Sequence, residues 1–106
     1  MSNSQLLRCS SIGERAFSGC RNLRNTDISQ ASSIGEDAFY GCAGLTNIRI
    51  KPGVSIPEEC FYMCENLHTV YNLYKCTSIG KSAFTGCSSL RNNDISSCSN
   101  IGECAF

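Results

Sequence analysis

The sequence predicts an α/β-type solenoid, a chain wound into short, nearly identical coils that stack on one another. Three observations lead to it. The stretch at 34–50, IGEDAFYGCAGLTNIRI, returns at Ile12 (IGERAFSGCRNL), Ile56 (IPEECFYMCENL), Ile79 (IGKSAFTGCSSL) and, cut short, Ile101 (IGECAF). The leading isoleucines stand 22, 22, 23 and 22 residues apart. All five phenylalanines (Phe17, Phe39, Phe61, Phe84 and Phe106) fall in one column of that alignment. A fixed period of about 20 to 30 residues, with leucine and isoleucine at set offsets, marks a leucine-rich repeat. The coils are therefore 22–23 residues long. No single coil can bury its own apolar side, so neighbours must stack and bury it for each other.

The whole chain, 1–106, reads as one array. A half repeat at 1–11 is followed by full repeats starting at 12, 34 and 56, a partial repeat from 79 and a half repeat at 101–106. Met1, Ser4 and Leu6 fall in the register of Leu23, Thr26 and Ile28. Neither end carries a polar or disulfide-rich cap, which terminal coils of a solenoid normally need. The expectation is a fragment of a longer array; the alternative is a short protein whose ends stack on something else.

Nine basic and nine acidic residues cancel, with no run of either sign. Nucleic-acid binding usually leaves a basic face, and none is visible. No 18-residue apolar stretch is present to span a membrane. The opening MSNSQLLRCSSIG lacks a basic region followed by an apolar core, so no secretion signal is expected in this chain.

Each column has a physical job. The strand segment, L-x-x-(apolar)-x-I, occurs at Leu23 to Ile28, Leu45 to Ile50, Leu67 to Leu73 and Leu90 to Ile95. In LTNIRI, Ile48 points in and Arg49 out, as a half-buried strand requires. Successive strands pair in parallel about 4.8 Å apart and build a parallel concave sheet. Thr26 and Asn93 put polar groups at the middle apolar position, where those strands should be short or frayed. A polar turn leads to the isoleucine column, followed by Gly13, Gly35, Gly80 and Gly102 but by Pro57 in the third copy. Proline excludes a left-handed backbone there, so glycine is favoured for space, with another coil passing close by. Pro52-Gly53 is a local turn signal.

The A-F-x-x-C spacing comes next: Ala16, Phe17, Cys20 and their counterparts lie at i, i+1 and i+4, on one face of short helical or 3-10 turns on the convex side. The phenylalanine column reads as a continuous buried spine, since aromatic rings supply so much burial.

Nine cysteines invite a disulfide or zinc reading. Cys20, Cys42, Cys64 and Cys87 share the column three after the phenylalanine. Cys9, Cys76 and Cys98 lie three before the isoleucine, where other copies have Ala31 and Gly53 or Val54, and Cys60 takes the alanine column. Only Cys104 has no small-residue column to explain it. Compact, slightly apolar thiols suit such sites. In-register side chains run side by side instead of facing one another, so most thiols should stay reduced, with some disulfides and a metal site as the alternatives. No CxxC pair occurs and the sole histidine, His68, is on the strand face, so neither a metal nor a cofactor is expected.

A concave sheet exposes the residues one, two and four after each strand leucine. These are Arg24, Asn25 and Asp27; Thr46, Asn47 and Arg49; His68, Thr69 and Tyr71; and Arg91, Asn92 and Asp94. Arginine and tyrosine are favoured at protein interfaces, and four strands make a face about 15 to 20 Å long, enough for a loop or a peptide. The bland alternative is a row of solvated strand residues. His68 beside Tyr71 has no nucleophile, second base or oxyanion site near it, so an enzyme is not expected. Two functions remain: a protein-interaction module binding a protein or peptide on the concave surface, or a structural scaffold component stacking end to end in a cytoskeletal or filamentous assembly.

The unit L-x-x-I-x-I…S-I-G-x-x-A-F-x-G-C-x-x-L, repeated over essentially the whole chain, resembles the BspA-like leucine-rich repeat family. The resemblance implies surface display and adhesion to host or matrix proteins and to other cells, hence a cell-surface location; a cytoplasmic or cytoskeletal one is the alternative. Cysteine-rich copies look more like the protozoan surface-antigen repeats than the bacterial ones. The family's proline after the strand survives here only as Pro52, and no family residue of catalytic role carries over.

Overall fold

The computed structural model describes residues 4–91 and 98–106. In chain order its elements are β1 (Ser4–Leu6), β2 (Ser11–Ile12), β3 (Asn25–Asp27), β4 (Ser33–Ile34), β5 (Asn47–Arg49), β6 (Thr69–Tyr71), a 3-10 helix (Leu73–Lys75), β7 (Ser78–Ile79) and β8 (Asn100–Ile101). The strands β1, β3, β5 and β6 pair in that order, all parallel, as a four-stranded sheet. The expected strand at Leu90 to Ile95 lies mostly outside the described residues.

The sheet alternates as a half-buried strand should. Thr26, Ile48 and Val70 stand in one register row, and all three are buried. Fraying at Thr26 is not what happens: it is 1% exposed, and its strand is as long as its neighbours. Threonine is β-branched like valine and fits a pleated, crowded surface.

At the N-terminal end the register differs from expectation by one residue. Gln5 pairs with Thr26 and Leu6 with Asp27, and the Leu7 N–H donates to the Asp27 carbonyl at 2.9 Å. Leu7 therefore takes the place of Ile28. From Leu7 to Ile12 is one residue fewer than from Ile28 to Ile34, so the first turn is shorter and the strand before it slides.

The isoleucine column makes a second set of parallel pairs: β2 with β4, β7 with β8, and a single bridge from Ile56 to Ile79. The rungs are N–H groups of the following glycines, Gly35 to the Ile12 carbonyl, Gly80 to Ile56 and Gly102 to Ile79, each 2.7 Å. Pro57 has no N–H to offer Ile34, and the ladder divides there. None of these glycines has a positive φ. Their role is space: a Cβ on Gly80 would sit 2.5 Å from the Glu58 nitrogen and 2.7 Å from the Pro57 carbonyl carbon.

The A-F segments are not helical. They are runs of turns in which alternate N–H groups have different destinations. Ala16, Ser18 and Cys20 donate three residues back, to Gly13, Arg15 and Phe17. Arg15, Phe17 and Gly19 donate across to Glu36, Ala38 and Tyr40 of the next repeat, and the same alternation recurs from Asp37 and from Glu59. A helix would need negative φ throughout. Here Arg15, Asp37, Glu59, Ser82 and Cys104 share one column with φ of 54 to 59°, and Gly19, Gly41, Met63 and Gly86 share a second. Among the described residues the 3-10 helix Leu73–Lys75 lies elsewhere, in the turn after β6.

That turn absorbs the extra residue of the 23-residue interval. Asn72 takes a left-handed conformation, φ 76°, tolerated best by glycine and asparagine. Its Nδ2 donates to the Ile50 carbonyl at 2.8 Å, and Leu73 returns to the core. The Pro52-Gly53 signal also holds: Gly53 has φ 88°, and the Val54 N–H closes the turn on Lys51. Val54, not Gly53, fills the buried site.

Behind the turns the five phenylalanine rings form one stack. Successive centroids are 5.3 to 5.5 Å apart and the planes 10 to 13° from parallel, within the range aromatic pairs favour. Phe39, Phe61 and Phe84 are buried, while Phe106 is 50% exposed.

Candidate interaction face

The strand that buries Thr26, Ile48 and Val70 must turn its flanking residues the other way, because side chains alternate across a sheet. Two rows result: Asn25, Asn47 and Thr69, and Asp27, Arg49 and Tyr71. A third ledge precedes them, where backbone N–H groups run from Thr46 to the Arg24 carbonyl, from His68 to Thr46 and from Arg91 to His68, all 2.9 Å. Asn25, Asp27, Asn47, Arg49, Thr69 and Tyr71 thus share one side, and Arg24, Thr46, His68 and Arg91 line up in the ledge at its edge; Asn92 and Asp94 lie outside the described residues.

They do not all stand free. Arg24, Arg49, Tyr71 and Arg91 are exposed, whereas Asn25, Asp27, Thr46, Asn47, His68 and Thr69 are half-buried. The short side chains are sunk between longer ones and are held by local bonds. Asp27 Oδ1 accepts the Ser29 N–H at 2.9 Å, Thr46 Oγ1 donates to the Arg24 carbonyl at 3.4 Å, and His68 Nδ1 lies 3.1 Å from Thr69 Oγ1. The prominent feature is a cation on a ring: the Arg49 guanidinium carbon is 4.7 Å from the centroid of Tyr71, which is 43% exposed. Such contacts are worth about 0.5 to 1 kcal/mol at exposed sites. Here the pair also holds two long side chains in a fixed pose, so less order has to be imposed on binding.

Three further surface features lay outside the sequence reading. Tyr40 and Tyr62 stack at 5.0 Å on the turn side, Lys75 lies over Tyr74 at 5.6 Å, and Arg15 Nε meets Asp37 Oδ2 at 3.7 Å. Tyr40 and Tyr62 are 22 residues apart, as are Arg49 and Tyr71, so pairing residues one period apart would have found both contacts.

The cysteines divide by what their sulfurs face. Cys42, Cys64 and Cys87 donate to the carbonyls of Phe17, Phe39 and Phe61, one repeat back, at 3.1, 3.0 and 3.0 Å. Burial pushes the Cys60 thiol well up and the Cys87 thiol up to about 11. The bond to the Cys42 thiol, followed by burial, raises Cys64. The same contact, with the Cys64 thiol, lowers Cys42, whereas Cys60, Cys64 and Cys87 are packing groups that keep their protons. In Cys76 and Cys98 the sulfurs face each other at 2.9 Å, against the expectation that in-register thiols do not.

Among the described residues, no helix is long and apolar enough to cross a membrane. No match was found among curated proteins. The chain is similar to a leucine-rich repeat protein from Bacteroides ovatus ATCC 8483, of known crystal structure, at 26% identity and a TM-score of 0.62. The similarity covers 93% of this chain and 33% of that one, so the chain spans about a third of that protein's length. Residues 3–106 match the BspA type leucine rich repeat region, in six copies. Leucine-rich repeats of this kind commonly mediate protein interaction and are generally not enzymes. With parallel strands in register and the same repeat from end to end, the chain belongs to the BspA type leucine-rich repeat family.

Proposed function

We propose that the chain is a stretch of solenoid with 22–23-residue coils, part of a longer array, that binds a protein loop or extended peptide on a concave β-sheet. The observation that carries the reading is the row Asp27, Arg49, Tyr71, with its stacked guanidinium and ring beside amides and hydroxyls. Interfaces favour arginine and tyrosine as anchors surrounded by polar groups that hydrogen-bond the partner's backbone. Arg24, Asn25, Thr46, Asn47, His68, Thr69 and Arg91 form the rest of this surface; Asn92 and Asp94, which the sequence adds to it, lie outside the described residues. The balanced charge argues for a mixed-charge protein partner over nucleic acid. Adhesion at a cell surface, to host or matrix proteins, is the setting the family resemblance suggests.

The test is binding of the chain to a panel of immobilised extracellular-matrix proteins, with Arg49→Ala and Tyr71→Ala compared at equal circular dichroism. A loss of affinity of about tenfold or more in either variant, typical for an interface anchor, is the expected result. Unchanged binding of both would remove the surface from the reading.

A second reading is coils stacking end to end in a filamentous or cytoskeletal assembly. It requires concentration-dependent self-association, which sedimentation velocity measures directly.

A further inference from the structure

The backbone around Cys76 and Cys98 is held at sheet spacing. Two residues on, Ser78 pairs with Asn100 and Ile79 with Ile101, in parallel, and between the cysteines and those strands the Ser99 N–H donates to the Thr77 carbonyl at 3.0 Å. Neighbouring strands lie about 4.8 Å apart, inside the window of about 4.4 to 6.8 Å between Cα atoms that a disulfide spans. The two sulfurs stand 2.9 Å apart, closer than unbonded sulfurs rest. The Cys98 thiol has a carbonyl within reach, that of Cys76, but at 3.6 Å. By contrast Cys42, Cys64 and Cys87 each have a carbonyl at 3.0 to 3.1 Å and turn their sulfurs to it. In the column of Cys76 and Cys98, the neighbour of Cys9 is Ala31, which cannot pair with it. The Cys42 and Cys64 thiols also touch one repeat apart, but each has its own close carbonyl; the short sulfur–sulfur distance points to Cys76 and Cys98.

We propose that Cys76 and Cys98 form a disulfide joining two successive repeats, made by exchange with a low-molecular-weight disulfide such as oxidised glutathione. Cys98 is half-buried and Cys76 fully buried, so Cys98 meets the oxidant. Its thiolate attacks one glutathione sulfur, the glutathione S–S bond breaks, and one glutathione leaves as a thiolate that takes up a proton. Burial, with the Cys98 thiol beside it, holds Cys76 up to about 12, so Cys76 keeps its proton until this stage. It then surrenders that proton and attacks Cys98 Sγ, expelling the second glutathione. The balance is two protein thiols plus one glutathione disulfide, giving one protein disulfide and two reduced glutathiones. The bridge exists in an oxidising compartment and opens in a reducing one.

The full chain, equilibrated with oxidised or reduced glutathione, is denatured and alkylated with N-ethylmaleimide, then cleaved with trypsin. Cleavage after Lys75, Lys81 and Arg91 puts Cys76 in peptide 76–81 and Cys98, with Cys104, in peptide 92–106. The expected result is that oxidation joins these peptides, two hydrogens lighter, with fragmentation placing the bond at Cys98. Closing a loop of this length should also raise the melting midpoint by about 10 °C. Cys104→Ser should keep the link and Cys98→Ser should lose both link and shift. Cys76 recovered fully alkylated under oxidising conditions, or bonded to another cysteine, overturns the proposal.

Discussion

Gly80 and Gly41 are both glycines for a reason, and the reasons differ. Gly80 has an ordinary φ, but a Cβ there would press on the backbone of the previous repeat at Pro57 and Glu58. Backbone cannot swing aside as a side chain can, so Gly80→Ala should cost about 1 to 3 kcal/mol. Gly41 has open space around it and φ 67°, so Gly41→Ala meets only the left-handed penalty, about 1 kcal/mol. Gly13 has neither constraint, and Gly13→Ala should stay within about 0.5 kcal/mol of the parent. Urea midpoints should rank the three in that order; equal losses at Gly80 and Gly13 would contradict the packing argument. The glycine column after the isoleucine was legible in the sequence because Pro57 excludes a left-handed reading. The column of five non-glycine residues at positive φ was not, since Arg15, Asp37, Glu59, Ser82 and Cys104 share no side-chain property.

At the scale of the element, the phenylalanine stack and the turns that carry it stabilise each other. Each turn leaves half of its N–H groups pointing across to the next repeat, and each ring lies on the ring of that repeat. Phe61 is sandwiched between Phe39 and Phe84, so Phe61→Ala should cost about 3 to 5 kcal/mol. Phe106 touches one ring and is half exposed, so Phe106→Ala should cost well under half of that. Thermal midpoints of the two variants decide it; similar losses would mean the rings do not act as a stack. The spine was readable from the alignment of Phe17 to Phe106. The conformation beneath it was not, because i, i+1, i+4 spacing fits a helix as well as a run of turns. The choice depended on where Phe17, Phe39 and Phe61 send their N–H groups, and that partner is a residue of the neighbouring repeat.

For the whole molecule, buried thiols make the fold sensitive to alkali. Cys60, Cys64, Cys76 and Cys87 all have folded pKa values raised above that of an ordinary thiol, those of Cys87 and Cys76 to about 11 and 12, while that of Cys42 is lowered by the Cys64 thiol. A raised thiol keeps its proton in the folded chain while the unfolded chain loses it. Their contribution is therefore complete below about pH 9 and is lost as pH climbs from there toward 11 or 12. The melting midpoint of the reduced chain should be flat from pH 7 to 9 and fall above it. Cys60→Ala should make that fall shallower; an unchanged slope would assign the loss to other groups.

The candidate face follows the same division. That Arg24, Thr46, His68 and Arg91 share a ledge was legible from the period alone, because every repeat presents the same column on the same side. That Arg49 lies on Tyr71, that Asp27 is tied to Ser29, and that Asn72 absorbs the extra residue were not, because each is a contact chosen by local geometry. By itself the sequence determined the repeat, the buried columns and the parallel stacking: apolar side chains at fixed offsets leave one way of hiding them. Tertiary structure alone decided the one-residue slide of β1, the turns in place of helices, and which thiols face a carbonyl and which face each other. Those depend on the backbone of the adjacent repeat, whose carbonyls and N–H groups carry no signature in the identity of the residues.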